Sequence, residues 1–257
     1  MPRIISILFV ISFLLATFSG CLSSNEGKNE IMLVVNYEKT NGTILESYID
    51  GELVSTVNVT LEFDFSNTIS SKKLIEFGIE TINGEESVSV DPNMNKTISI
   101  EFSSHGVYNI TAYAIDEKHM RKEITIIVRI NLEIDWTEKN TYNPKHLTID
   151  SISENSDEYT ASIVINSTIE NPVLIANVGG GREVGITWAL FDQQEDACQS
   201  RKGVVHDGEN INWKTIHFNT FEIHELRISY DEGQDYIDIY QTILIEYNSV
   251  ESKPNPK

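Results

Sequence analysis

Between Glu123 and Trp136 the chain alternates without a break. Ile124, Ile126, Val128, Ile130, Leu132, Ile134 and Trp136 fall on one face. Glu123, Thr125, Arg129, Asn131, Glu133 and Asp135 fall on the other, with Ile127 the single apolar intruder. Successive side chains of a strand point to opposite faces, so this pattern is a long strand with one dry side. A helix would set Glu123 beside Ile127 and scatter the rest around its circumference. A dry sheet face has to be covered, and the shorter segments that could cover it alternate as well. In Val57–Phe65 the dry positions are Val57, Val59, Leu61, Phe63 and Phe65; in Lys96–Phe102 they are Ile98, Ile100 and Phe102. Further strands are expected at Ile31–Tyr37, Leu74–Glu80, Ser87–Val90 and Gly106–Asp116. The rest are His146–Ile152, Tyr159–Asn166, Val173–Ala176, Gly185–Phe191, Trp213–Phe218, Ile223–Tyr230 and Tyr236–Tyr247. Short strands punctuated by Asn, Asp, Gly and Ser read as β-sandwiches.

The polar stretch Thr137–Pro144 ends in proline and is the expected linker. It divides the chain into 31–136 and 145–249, each the size of a small sandwich, with 250–257 as a loose tail. The expected fold class is therefore all-β: two immunoglobulin-like or jelly-roll-type antiparallel sandwiches.

Residues 1–20 have a different character. Arg3 is their single charge, an apolar run spans Ile4 to Phe18, and Ser19-Gly20-Cys21 follows. The run is short for a membrane span and has the layout of a secretory signal. Phe18-Ser19-Gly20-Cys21 resembles the lipobox of prokaryotic lipoproteins, archaeal ones among them, with Phe18 in place of the usual leucine. The resemblance implies that Cys21 becomes the lipidated first residue, on the outer face of the cell membrane. A plain signal peptide, a short uncleaved anchor and a buried helix are the alternatives. Residues 21–30 then form a polar tether. Cys198, left without a partner, is expected to be a small buried residue.

Gly106-Val107-Tyr108-Asn109-Ile110-Thr111-Ala112-Tyr113-Ala114-Ile115-Asp116 resembles the closing signature of the PKD (polycystic kidney disease repeat) domain. Gly106, Tyr108, Ile110, Thr111 and Asp116 keep its residue types and spacing. Leu61–Ser66 is similar to the family's early strand, and Phe77-Gly78 to its middle motif, where the family's Trp and Asp-Gly turn are absent. The likeness covers about residues 55–131. It implies a non-catalytic extracellular module used for spacing or for protein and carbohydrate contacts. On the residues themselves, Tyr108 faces inward, packed with Ile98, Ile126 and Val128, and Tyr113 faces outward. Gly185–Asp192 followed by Trp213 is similar in pattern to jelly-roll domains appended to secreted peptidases. Gly179–Gly181 reads as a loop.

Catalytic signatures are missing from the sequence. It contains no G-x-S-x-G, Walker, Rossmann or kinase motif. Cys198, His206, His217 and His224 are the histidine–cysteine cluster. Half-exposed histidines are the expected reading; a zinc site of the three histidines and the thiol is the alternative, since a turn at Phe218–Phe221 could bring His217 and His224 together. Asp231, Glu232, Asp235 and Asp238 surround Gly233 without EF-hand spacing, so a solvated acidic turn is expected, with a calcium site as the alternative. No cofactor is expected. The formal charge of −20 repels phosphate backbones and argues against nucleic acid. N-x-Ser/Thr sequons at Asn41, Asn58, Asn95, Asn109 and Asn166 all fall on expected loops, wet faces or strand ends. The expected function is lipid-anchored, non-catalytic binding, adhesion or envelope structure. The alternatives are an accessory glycan- or peptide-binding subunit of a secreted enzyme or transporter, marked by an exposed aromatic strip in one loop cluster, and a hydrolase.

Overall fold

A computed structural model describes residues 30–81, 87–153, 158–173 and 182–257. The signal segment, Cys21, nearly all of the tether, the glycine triplet Gly179–Gly181 and most of the strand expected at Val173–Ala176 lie outside the described residues. The chain is all-β. Its strands are β1 (Ile31–Met32), β2 (Asn41–Ile49), β3 (Glu52–Val57), β4 (Val59–Asp64), β5 (Ile69–Ser70), β6 (Leu74–Glu80), β7 (Ser87–Val90), β8 (Thr97–Phe102) and β9 (Gly106–Asp116). They continue as β10 (Arg121–Thr141), β11 (Leu147–Asp150), β12 (Thr160–Glu170), β13 (Val184–Phe191), β14 (Ala197–Val205), β15 (Asn210–Thr220), β16 (Ile223–Glu232) and β17 (Ile237–Glu246).

The alternating stretch lies inside β10, and the strand is longer than the pattern. It runs on through Thr141, so most of the expected linker is strand: Thr137 pairs with Tyr240, Glu138 with Ile239 and Thr141 with Ile237. Polar composition does not distinguish a linker from a strand here, because the backbone of these residues pairs in a ladder whatever their side chains. Glu138 is buried and accepts a hydrogen bond from the Lys145 backbone N–H at 3.1 Å.

β10 takes β9 along Arg121–Ile130 and β17 along Leu132–Thr141, both antiparallel, and β2 in parallel along Arg129–Thr137. One sheet, in the order β15-β12-β17-β10-β9-β6-β7, therefore extends through both halves of the sequence. In the first half the β4–β8 pair covers its dry face: Phe65 stacks on Phe77 at 4.9 Å and Phe102 meets Tyr108 edge-on at 4.8 Å. In the second half the sheet β11-β16-β13-β14 covers it. Trp188 of β13 donates its indole N–H to Ser167 Oγ of β12 at 2.9 Å, and lies 6.1 Å from the Trp213 ring of β15.

Asn58 interrupts the expected strand Val57–Phe65. β3 pairs with β2, whereas β4 pairs with β8, so the chain changes sheets there and Val57 is exposed while Val59, Leu61, Phe63 and Phe65 are buried. The β2–β3 hairpin went unread, although its turn, Asp50-Gly51, is a strong hairpin signal. Both residues have positive φ (50° and 82°), as a tight hairpin turn demands. β14 was missed as well, being an edge strand whose residues are mostly exposed.

The expected loose tail is tied down. Ser252 exchanges hydrogen bonds with the backbone of Ile127, Asn255 bridges Tyr37, and Glu251 accepts two bonds from Arg129 at 2.7 and 2.9 Å. The tail covers the free edge of β10 beside Ile127, the intruder on the wet face, which is half-buried for that reason.

The signature stretch Gly106–Asp116 forms β9. Gly106 has φ 150°, and a Cβ there would strike the Ser153 hydroxyl. Asp116 is buried and ends the strand as an Asx turn, its Oδ1 accepting the N–H groups of Lys118 and Met120 at 2.9 and 3.0 Å. Tyr108 is buried, and its hydroxyl donates back to the Ser104 carbonyl, a tyrosine corner of the immunoglobulin-like type. Tyr113, expected outside, is buried too. It lies over Gly78 on the outer face, with the Arg121 guanidinium 3.9 Å above its ring.

Candidate functional site

A cleft of about 300 Å³ opens where the β8–β9 turn approaches β11 and the β2–β10 pair. Parallel pairing sets Ile44 beside Leu132, Glu46 beside Ile134 and Tyr48 beside Trp136, so all six side chains share one face. Ile44, Leu132 and Ile134 give the cleft an apolar floor. Tyr48, stacked on Trp136 at 5.7 Å, stands as its aromatic wall. Glu46, Ser103, Ser104, His105, Thr148 and Asp150 supply its polar lining. The Tyr48 hydroxyl donates to Glu46 Oε2 at 2.9 Å; burial, reinforced by the Glu46 carboxylate, pushes this phenol up to about 12. Tyr48 is thus a neutral hydrogen-bonding group across the biological pH range. Such a floor and rim suit a small ligand with one apolar face and several hydroxyls.

The aromatic strip expected of a binding subunit is present elsewhere. Tyr142, from the loop after β10, and Tyr236, from the β16–β17 turn, place their ring centroids 4.0 Å apart, and Tyr230 meets Tyr142 edge-on at 5.7 Å. Tyr142 and Tyr236 are exposed.

The acidic turn beside this strip does not gather around one point. Asp231 accepts from the Thr187 hydroxyl at 2.6 Å, Asp235 faces Arg182 Nη1 at 3.3 Å, and Asp238 accepts the Asn140 backbone N–H at 2.9 Å. Glu232 lies against Gly185. Four carboxylates with separate partners form a structural turn.

His206 stands apart, 3.4 Å from Glu183. Cys198, His217 and His224 come together: their ligand atoms all lie within 4.8 Å of one another. Cys198 is exposed on β14, contrary to expectation, and burial of its sulfur, with Asp192 and Glu222 nearby, raises its thiol above the ordinary value. His224, inward on β16, is buried, and burial, followed by the neighbouring His217, holds its imidazole below its ordinary value. Sequence alone could show the turn between the histidines. It could not show β14 arriving beside them.

Among the sequons, Asn58, Asn95 and Asn109 are exposed. Asn41 opens β2, not a loop, and its Nδ2 donates to Glu251 at 3.0 Å. Asn166 lies within β12, paired on both sides, and does not end that strand.

No family model matches the chain, and no curated protein matches it in sequence. Solved structures align with it at low TM-scores. Carbohydrate-binding modules of the β-sandwich superfamily align at 7% identity over 86% of this chain and 99% of theirs, with TM-score 0.32. The fibronectin(III)-like modules of Clostridium thermocellum CbhA align at 12% identity over 86% and 98%, with TM-score 0.25. A Clostridium perfringens ZmpB structure, containing a carbohydrate-binding module with N-acetylglucosamine, aligns at 10% identity over 86% and 49%, with TM-score 0.26. The all-β architecture of the chain is read from its own strands and sheets.

Proposed function

We propose that this chain is a non-catalytic binding protein and that the cleft at Tyr48 takes a carbohydrate. The observation that carries the reading is the joining of an apolar floor (Ile44, Leu132, Ile134) to an aromatic wall and a polar lining that includes Glu46 and Asp150. A sugar ring presents C–H groups on one face and hydroxyls at its edge. The first pack on the floor and on Tyr48; the second bond to carboxylates and hydroxyls. The Tyr142–Tyr236 strip supports a second reading, an accessory subunit that docks a glycan or peptide on an exposed loop cluster. In both readings Cys21 carries a lipid that holds the domain outside the cell, and Asn58, Asn95 and Asn109 are the sequons open to modification.

Glycan-array screening followed by calorimetric titration tests the site. Tyr48→Ala and Asp150→Asn should each weaken binding about tenfold or more, while Tyr236→Ala leaves it unchanged. The reverse pattern moves the site to the tyrosine strip. Binding to no glycan or peptide, by a protein that remains folded, rejects both. Mass spectrometry of the membrane fraction should find acylated Cys21; a soluble chain unaffected by Cys21→Ser would remove the anchor.

A further inference from the structure

Three consecutive strands of two different sheets bring their side chains together in the second half of the chain. β14 brings Cys198, β15 brings His217 and β16 brings His224. The His217 and His224 rings sit 4.8 Å apart in an edge-on arrangement. His224 adds an independent observation. Its Nε2 faces the Thr220 hydroxyl and Glu222 Oε1, each at 3.5 Å, while its Nδ1 is buried without a hydrogen-bond partner. A buried ring nitrogen left unsatisfied is costly and uncommon in native proteins. A ring nitrogen that coordinates a metal, with the other ring nitrogen held by a carboxylate, is the arrangement that resolves the cost.

We propose that Cys198, His217 and His224 bind a single zinc-class ion, with a fourth position open. Thiolate and imidazole are the ligands that such a borderline-soft cation prefers, and three protein ligands plus one exchangeable position is a recurrent zinc arrangement. Bonds of about 2.0–2.3 Å to a tetrahedral ion place ligand atoms roughly 3.3–3.7 Å apart. The present spacing, 4.8 Å at most, therefore closes by about 1–1.5 Å at its widest. Cys198 is exposed and can make that movement by side-chain rotation. On binding, the thiol proton passes to solvent and the sulfur electron pair forms the bond to the metal. Glu222 is a positioning residue, fixing the tautomer in which His224 Nδ1 carries the lone pair.

The test is a titration of the full chain, carrying Cys21→Ser so that Cys198 is the one remaining thiol, with Co²⁺ as the optical probe and Zn²⁺ as the competitor under reducing conditions. The expected result is one ion per chain, a thiolate-to-cobalt charge-transfer band, and displacement of cobalt by zinc. Cys198→Ser should abolish the band. His217→Gln should weaken affinity at least tenfold, and Glu222→Gln about 10–100-fold. His206→Gln should change nothing. Cys198 is exposed and His217 half-exposed, so those two variants keep the fold, which circular dichroism checks. Absence of the band in a folded protein, or cobalt binding unaltered by Cys198→Ser, overturns the proposal.

Discussion

The alternating pattern runs unchanged from the N-terminal part of β10 into its C-terminal part, and the two parts are used differently. The N-terminal end, Arg121–Ile130, pairs with β9 and packs into the first sandwich, and its free edge is covered by the C-terminal tail through Ser252. The C-terminal end, Leu132–Thr141, pairs with β17, while β2 runs in parallel on its other side, and it contributes to the second sandwich. Period two records which face is dry, because burial is a property of the face. It carries no information about what lies along the edges, because edge partners bond through the backbone, which is the same in every residue. One strand can therefore serve both halves of a continuous core while its alternating stretch shows a single face.

The largest effects should come from emptying the core at either end of β10. Tyr108 stands across from Val128 at its N-terminal end, and Trp136 stacks on Tyr48 towards its C-terminal end. Tyr108→Ala and Trp136→Ala should each cost about 3–5 kcal/mol, the range for truncating a large buried aromatic. Because β10 continues through both, each variant should lower the midpoint of one common denaturant transition. Two transitions, each moved by a different variant, would make the halves independent. Limited proteolysis sharpens the same point: held in the ladder with β17, the stretch Thr137–Thr141 should resist cleavage.

Next in size is the tail, which belongs to the first end alone. The Arg129–Glu251 pair is mostly buried, and the Arg129 guanidinium holds the Glu251 carboxyl at about 2. A carboxyl depressed in the folded state contributes stability that is complete above its ordinary value near 4.5. That contribution, about 2–3 kcal/mol, is lost as pH falls towards 2. Glu251→Gln should therefore flatten this part of the acid-denaturation profile and cost about the same at neutral pH. An unchanged profile would return the tail to the loose segment that its prolines and charges imply.

These contrasts also mark where sequence was informative. The phases of β4, β8, β9 and β10 were legible, as was the turn at Asp116, because each rests on neighbouring residues. The sheet change at Asn58, the strand character of Thr137–Thr141, the tail and the cleft were not, since each depends on segments far apart in the chain. The cleft shows this most clearly: Tyr48 and Asp150 line it together although about a hundred positions separate them, Tyr48 placed by the pairing of β2 with β10 and Asp150 by that of β11 with β16. At the histidine cluster, the turn between His217 and His224 was visible, whereas the arrival of Cys198 depended on β14, an edge strand without alternation.

The smallest effect tests why Tyr113 is buried on the face of β9 that alternation assigns to water. Tyr113 lies over Gly78, donates its hydroxyl to Glu76 at 2.6 Å and is roofed by Arg121. A Cβ at Gly78 would run into the Tyr113 ring, so the glycine makes the room that the tyrosine fills. Gly78→Ala should cost about 1–2 kcal/mol by overpacking. Tyr113→Ala should cost a similar amount, and less than Tyr108→Ala, because its outer side is closed by one mobile side chain and not by a second sheet. The two are in contact, so their costs should not add: the double variant should be more stable than the sum of the singles predicts by about 0.5–1 kcal/mol. Additive costs in a double-mutant cycle would detach Tyr113 from Gly78. A Tyr113→Ala cost above that of Tyr108→Ala would reverse the inner and outer faces of β9 and, with them, the phase on which the PKD resemblance rests.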